Sequence, residues 1–274
     1  MSKVDLHVHT SYSDGNLSLE DLLQLAVDSC VKEISITDHE TIIHLKDYKE
    51  LEERFPLTII PGIEIGTNCR KLHIVGYGIT DYEAVEKKML QQKYNNEEKN
   101  KESIFLLQKM GIDIDYERVK QFCGNDMVVH RDVAKYLFYK GYVSDPHDAY
   151  QKYIGRGTKA YVPSKEMAIE EVLSIIHENG GISVLAHPFT ISKDIDLDLL
   201  VMKMKGLGLS GIEIYPPNLT DQQIEYYSYL AQKYELVKTT GTDFHNSQYD
   251  LLGIEVSDDY LNDFHEKVFK KGRN

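Results

Sequence analysis

Two histidines, His7 and His9, stand two residues apart at the end of an apolar segment near the start of the chain. If residues 3–8 form a β-strand, side chains two residues apart point to the same side, so both imidazoles could hold one metal ion at the end of the strand. Asp14, in the loop that follows, adds a carboxylate. Alone the pair is a weak signal, because two ordinary polar positions give the same pattern.

Residues with the chemistry of metal ligands recur at the ends of the other predicted strands. They are His39, Glu64, His73, His187, Asp243 and His245. One polar residue at a strand end is explained by a buried hydrogen bond or by capping of a helix. Six strand ends that each carry His, Asp or Glu are better explained by one shared site. Imidazole and carboxylate ligands together suit Zn, Mn or Fe. The pattern therefore predicts a transition-metal site along one edge of the sheet.

The segments that position these residues alternate between strand-like and helix-like patterns. Apolar residues over 19–30 recur with the 3.6-residue period of an amphipathic helix. About seven strand–helix units occupy residues 1–80 and 157–274. They predict an α/β fold with a largely parallel sheet covered by helices, enough to close into a barrel.

Residues 81–156 interrupt this alternation with long helical stretches and almost no strand pattern. We expect a helical insertion that stands partly clear of the barrel and is a candidate lid over the site. The barrel is then discontinuous in sequence.

Composition limits the partners. The chain has 274 residues and a formal net charge of −13, which argues against binding along a nucleic-acid backbone. Bound divalent ions would still allow a small phosphorylated substrate. No apolar run approaches the roughly 18 residues that a membrane span needs, so no membrane partner is expected. Cys30, Cys69 and Cys123 are scattered singly, which favours a reducing, cytoplasmic setting.

The motifs DLHVHT, TDH, GIE, the histidine of HIVGY, AHP and TDFH occur in this order. Together they resemble the PHP family, named for polymerase and histidinol phosphatase domains. The resemblance extends over essentially the whole chain. Within the insertion, GI-x-I, AKYL followed by KGYV, and YIGRGTKAYVP are similar to the subgroup of stand-alone phosphoesterases that act on nucleotides and short RNA.

The resemblance implies a distorted (β/α)7 barrel with a centre of three divalent ions. The implied ligand sets are His7, His9, Glu64 and Asp243 for one ion, Glu64, His73 and His187 for a second, and Asp14, His39 and His245 for the third. Glu64, Asp243 and His187 are the implied catalytic residues. The implied reaction is hydrolysis of a phosphate ester by hydroxide that the ions hold.

A phosphate also needs cationic partners outside the metal shell. Arg156 lies between two glycines, which would let the backbone approach a ligand closely. The same pattern is equally typical of a solvent-exposed arginine in a loop. The resembled subgroup usually has Arg-x-His before a Val-Ala or Ile-Ala pair. Here His130 and Asp132 occupy those positions and Arg131 is displaced by one residue. We therefore expect His130, Arg131 and Arg156 to contact substrate. Either Arg131 compensates through a shifted helix start, or the distal group of the substrate differs from that of the subgroup.

Four histidines stay outside these assignments. His147, His177 and His265 fall in predicted helices and are expected to be surface or packing residues. His44 could support a metal ligand through a hydrogen bond. Asp38 could orient a ligand or simply cap the next helix.

The function predicted is removal of phosphate from a small phosphorylated metabolite or nucleotide, such as a 3′,5′-bisphosphate nucleotide. The alternatives are 5′–3′ trimming of short RNA, a histidinol-phosphate phosphatase, and a non-catalytic metal-binding module of a polymerase. Missing ligands would favour the last alternative, and here none is missing.

Overall fold

A curled sheet of eight strands carries the residues singled out above. In the computed structural model the described residues are 1–69, 71–124, 127–163, 166–214, 219–248 and 251–270. The strands are β1 Ser2–Val8, β2 Glu33–Ile36, β3 Thr58–Gly66, β4 His73–Tyr77, β5 Ile182–Leu185, β6 Gly211–Glu213, β7 Val237–Thr239 and β8 Ile254–Val256. Their order is β7-β6-β5-β4-β3-β2-β1-β8.

Strand directions explain how one edge of the sheet collects the site. β1, β2 and β3 run parallel, as do β5, β6 and β7, while β4 lies antiparallel between β3 and β5. Only residues 67–72 connect β3 to β4. Because a parallel pair needs a crossover of about a dozen residues or more, this short connection allows only an antiparallel pair. The α/β fold is thus confirmed, with an antiparallel hairpin inside the mainly parallel sheet and with β8 as an eighth, antiparallel edge strand on β1.

The sheet curls until the chain beyond β7 meets β1. Leu6 donates its backbone N–H to the Thr240 carbonyl (3.1 Å), Asp243 donates to His7 (2.9 Å), and His9 donates to Phe244 (2.9 Å). These bonds bring the first strand and the last ligand-bearing loop together at the carboxyl edge.

The helices are amphipathic where they cover the sheet. They are α1 Leu19–Asp28, α2 Tyr48–Arg54, α3 Tyr82–Lys109, α4 Tyr116–Cys123, α5 His130–Tyr139, α6 Pro146–Ala149, α7 Ile169–Glu178, α8 Leu197–Gly206, α9 Asp221–Lys233 and α10 Asp258–Lys270. In α1 the Ser18 hydroxyl accepts from the Asp21 backbone N–H at the amino end, and one face of the helix is buried. No helix among the described residues is long and apolar enough to cross a membrane.

The chain divides into two compact units, residues 1–89 with 167–274, and residues 90–166. The second unit has its own apolar core, which includes Leu107, Val119 and Leu137. The sequence placed the first boundary at residue 81. Val85 and Met89, in the first turns of α3, pack into the core of the first unit.

Candidate metal centre

All nine predicted metal ligands lie at the carboxyl edge of the curled sheet. His7 is on β1, and Asp14 follows that strand with His9. His39 follows β2, Glu64 is on β3, His187 follows β5, and Asp243 and His245 follow β7. His73 begins β4, and because that strand is antiparallel, its start is at the same edge, paired with Gly66.

The first group of ligand atoms surrounds one oxygen of Glu64. Glu64 Oε2 lies 3.2 Å from His7 Nε2 and 3.3 Å from His9 Nε2. Asp243 Oδ1 lies 3.3 Å from the same His9 nitrogen. One ligand atom from each of the four residues lies within 4.8 Å of the others, which is close enough to share an ion.

The other oxygen of Glu64 faces a second group. Glu64 Oε1 lies 2.7 Å from His187 Nε2 and 2.9 Å from His73 Nδ1. His39 also approaches the carboxylate, with its Nδ1 3.4 Å from Oε2. The two oxygens of one buried carboxylate are therefore divided between two sets of imidazoles.

A third group is centred on Asp14. Its Oδ1 lies 3.2 Å from His245 Nε2, 3.8 Å from His9 Nδ1 and 3.9 Å from His39 Nε2. His9 belongs to this group as well as to the first, which the sequence did not predict. Its ring is buried between the two groups, and each nitrogen faces one of them.

Several buried atoms in the centre have no hydrogen-bond partner among the described residues. They are Nε2 of His7, both ring nitrogens of His9, and Oε2 of Glu64. These atoms lie close to one another without hydrogen-bond geometry. Because buried polar atoms are normally satisfied, their convergence fits a bound cation that would accept their lone pairs. Imidazole and carboxylate donors suit Zn, Mn or Fe.

A buried carboxylate that the sequence did not single out supports two of the ligands. Glu213 Oε1 lies 3.1 Å from His7 Nδ1, and Glu213 Oε2 accepts the backbone N–H of His187 at 2.7 Å. A carboxylate on the far nitrogen fixes the tautomer and orientation of a ligating histidine. The signal was present, since the tripeptide Gly-Ile-Glu that contains Glu64 occurs again as residues 211–213.

Asp38 supports the loop that carries Asp14. Its carboxylate accepts from the Thr10 backbone N–H at 2.8 Å and from the hydroxyls of Thr10 and Ser13 at 2.7 and 2.5 Å. His44 Nε2 lies 3.0 Å from the same carboxylate. The sequence proposed such a supporting role for Asp38 and His44, and these contacts agree with it.

Asp5 has the same role behind Asp243. Its carboxylate accepts the backbone N–H and hydroxyl of Thr242 (2.9 and 2.7 Å) and the backbone N–H of Gly253 at 2.9 Å. Burial raises the pKa of Asp5 to about 6 despite these bonds. The loop that bears Asp243 is thereby tied to the start of β1.

Two ligands sit on unusual backbone. His187 has φ 25° and Asp243 has φ 56°, in the left-handed region that side-chain-bearing residues seldom occupy. Strained conformations of this kind persist only where surrounding structure enforces them, and they cluster at functional sites. Here the surrounding bonds come from Glu213 and from the junction with β1.

Several of the predicted ligands have shifted pKa values, because the carboxylates and imidazoles of the centre are buried and interact with one another. A bound metal ion would take the place of protons in these interactions. Burial would raise the pKa of Glu64, but the charge of His7 and the hydrogen bonds from His187 and His73 hold it well below its usual range. Burial would lower the pKa of His245, yet the hydrogen bond to Asp14 raises it to about 9. Burial lowers the pKa of His39 to about 4. Protons that some of these histidines carry must leave when metal binds.

A cavity of about 390 Å³ opens onto these groups. Its described lining consists of His39, Glu64, Lys71, His73, His187, Thr190, Asp243 and His245. Six of the eight are predicted ligands, so a substrate in this cavity would contact the metal centre directly.

The three residues predicted to bind substrate lie in the second unit. The His130 ring has Nδ1 3.3 Å from Asn100 Oδ1 and Nε2 3.2 Å from the Ile154 carbonyl, so both of its nitrogens have partners within the unit. Arg131 and Arg156 are exposed. Asp132 is buried and caps α5 by accepting the Val129 backbone N–H. The substrate contacts of His130, Arg131 and Arg156 remain predictions.

The remaining histidines agree with their expected packing or surface positions. His177 Nε2 lies 2.9 Å from the Ser183 hydroxyl, and His265 Nε2 lies 2.6 Å from Glu33. His147 is exposed on α6.

Comparisons with known proteins agree with this geometry. The model of the PHP domain matches residues 5–182. A 5′-3′ exoribonuclease of Haemophilus influenzae is 30% identical over 247 residues, which cover 89% of this chain and 90% of that protein. A 3′,5′-nucleoside bisphosphate phosphatase of Chromobacterium violaceum is 24% identical over 251 residues, 89% of this chain and 88% of the relative. A solved structure described as a metal-dependent phosphoesterase, from Bifidobacterium adolescentis, has a TM-score of 0.73 at 22% identity and covers 96% of this chain and 95% of its own.

Proposed function

Since the chain belongs to the PHP domain family and is a metal-dependent phosphoesterase, we propose that it hydrolyses phosphate esters of nucleotides with three bound transition-metal ions, Mn, Fe or Zn. The preferred substrate class is a small phosphorylated nucleotide such as a 3′,5′-bisphosphate. The observation that carries the proposal is the convergence of nine imidazole and carboxylate ligands on one cavity, with buried atoms left unsatisfied.

The proposed metal count is supported by three groups, in each of which the ligand atoms lie within 4.8 Å of one another: His7, His9, Glu64 and Asp243; His9, Asp14, His39 and His245; and His39, Glu64 and His73. His187 is not in the last group by that distance, but its Nε2 lies 2.7 Å from Glu64 Oε1. Glu64 would bridge two ions, because Oε2 faces His7 and His9 while Oε1 faces His73 and His187. Divalent ions held there would activate water near neutral pH and offset the negative charge of a phosphate.

The protein's own residues supply the geometry of the reaction. Glu213 holds the His7 ring and the His187 backbone, and the bonds from Asp5 fix the loop that bears Asp243. Glu64, Asp243 and His187 line the cavity from different strands, so they would present the metals to one substrate phosphate. Such fixed positioning is how a site of this kind lowers the barrier.

A second candidate function is 5′–3′ hydrolysis of short RNA. The exoribonuclease relative favours it, since the match spans about nine tenths of both chains. The two functions share one chemistry and differ in the bond that is cut. A bisphosphate nucleotide releases inorganic phosphate, whereas RNA releases mononucleotides. The net charge of −13 favours a short strand over a long one.

The test is a hydrolysis screen with metal-loaded protein over 3′,5′-bisphosphate nucleotides, mononucleotides, histidinol phosphate and short 5′-phosphorylated RNA. We expect activity on the bisphosphates or the short RNA, and about three metal ions per chain. The substitutions Asp243→Ala and His187→Ala should abolish this hydrolytic activity. Activity confined to histidinol phosphate would overturn the nucleotide assignment, and a metal-free protein with full activity would overturn the mechanism.

We also infer a reducing, cytoplasmic location. Cys30, Cys69 and Cys123 are all free thiols, as expected where disulfides do not persist.

A further inference from the structure

Lys71 is the one lysine or arginine in the described lining of the cavity. It is exposed, and it lies in the turn between β3 and β4, two residues before the ligand His73. The sequence offered only Arg131, Arg156 and His130 as phosphate contacts, and all three lie in the second unit. Lys71 belongs to the same unit as the metal centre.

The backbone of Lys71 is fixed to the site. Its φ is 62°, in the left-handed region. The Lys71 carbonyl accepts the hydroxyl of Thr190 at 3.1 Å, and that hydroxyl oxygen also lies 3.1 Å from Nδ1 of His187. The turn that carries the ammonium group is thereby tied to His187, the predicted metal ligand that follows β5.

Among the residues that the structure describes, none forms an ion pair with the ammonium group of Lys71. Within the part of the chain that the structure describes, no carboxylate oxygen lies within 4 Å of its Nζ, although Glu64 and Asp243 line the same cavity. Those two carboxylates face imidazoles. The three N–H donors of the Lys71 ammonium group can therefore turn toward an anionic ligand in the cavity.

We propose that Lys71 binds a non-bridging oxygen of the substrate phosphate in this cavity. The proposal rests on the proposed function and adds a substrate-binding residue to it. An ammonium that donates to a phosphate oxygen forms a charge-assisted hydrogen bond, and lysine commonly serves this role. The ligand class is a phosphate monoester or inorganic phosphate.

The test compares Lys71→Gln and Lys71→Arg with the control Lys267→Gln. Lys267 is exposed on α10, a helix whose His265 contacts Glu33 at the start of β2, the opposite edge of the sheet. In metal-loaded protein, Lys71→Gln should raise KM by about tenfold, the effect of losing one charge-assisted hydrogen bond, with kcat and metal content little changed. Lys71→Arg should retain most of the affinity, and Lys267→Gln all of it.

A wild-type KM in Lys71→Gln would overturn the proposal, as would a fall in kcat alone or a loss of bound metal. If the wild type hydrolyses none of the phosphate esters, the proposed function fails instead. Calorimetric binding of inorganic phosphate to the same metal-loaded variants then decides the role of Lys71. Weaker binding by Lys71→Gln alone would support it, and equal binding by all variants would refute it.

Discussion

Glu213 lies 3.1 Å from the ring nitrogen of His7 that faces away from the cavity. The other ring nitrogen of His7 points toward Glu64 and Asp243. A single buried carboxylate on β6 therefore determines which face of a ligand on β1 is presented to a metal ion. The two residues are 206 positions apart in the sequence.

Replacing this carboxylate should weaken metal binding without removing a ligand. In Glu213→Gln the charge that orients the His7 ring is lost, and the acceptor for the His187 backbone is weakened. We expect metal affinity to fall by about 10- to 100-fold, as for other supporting residues of metal sites. Titration of the metal-free protein with Mn or Zn by calorimetry measures the change.

The matched control for that variant is Glu255→Gln, on the exposed side of β8. Its metal affinity should equal that of the wild type. If Glu213→Gln bound metal as tightly as the control, Glu213 would have no role in positioning the ligands.

Gly241 should tolerate no side chain. A Cβ at this position would lie 2.2 Å from Cβ and 2.6 Å from the backbone nitrogen of His7. Gly241→Ala must therefore push apart the junction between β1 and the chain after β7. We expect a loss of about 1–3 kcal/mol in unfolding free energy, typical of overpacking, together with weaker metal binding.

Gly206→Ala is the control, because a Cβ there meets nothing within 4 Å and the residue ends α8. It should be neutral or slightly stabilising. Equal unfolding midpoints for the two alanine variants in urea would contradict the close approach at residue 241.

Arg131 and Arg156 test whether the second unit contributes to substrate binding. Both are exposed and available to an anion. If they contact phosphate, each alanine variant should raise KM several-fold with metal content unchanged, because a charge-assisted hydrogen bond is lost outside the metal shell. Steady-state kinetics on the substrate found in the screen provides the measurement. Unchanged KM and kcat in both variants would remove these residues from the substrate site.

His130 should make the second unit sensitive to acid. Burial and the neighbouring Lys99 lower the pKa of His130 to about 4, against 6.5 for an exposed histidine. Between these values the unfolded chain binds a proton that the folded chain does not, so stability falls as the pH drops from about 6.5 toward 4. In His130→Gln this contribution is absent, and the unfolding midpoint should depend less on pH.

Thermal unfolding at pH 7.5 and pH 5, under one buffer and metal condition, tests this expectation. His147→Gln is the control, since His147 is exposed on α6. A pH dependence that is identical in the wild type and His130→Gln would show that His130 is protonated equally in both states.

That the predicted ligands would gather at one edge of the sheet was predictable from sequence, because strand geometry is local. His7 and His9 must point to the same side of β1, and both rings are fully buried at the site. The residues after β2, β5 and β7 follow from the rule that parallel strands end at a common edge. The resemblance to the PHP family supplied the grouping into ion sites.

The supporting residues were not predictable in the same way. Glu64 and Glu213 have the same local sequence, Gly-Ile-Glu, at the ends of two strands. Their roles differ only because β3 and β6 occupy different places in the curled sheet, which is a property of tertiary structure. Lys71 was overlooked for a similar reason, since a lysine in a turn gains meaning only from the cavity beside it.

The junction between β1 and the chain beyond β7 also sets the order of events during maturation. Asp5 and Thr242, which tie this junction, are 237 positions apart. A growing chain displays His7 and His9 long before Asp243 has been synthesised, so the predicted ligands can come together only after the segment through His245 has emerged and the sheet has curled. Contacts between such distant positions form late, because a large loop must close first. A metal ion that requires all of these ligands would therefore bind the folded sheet and not the nascent chain.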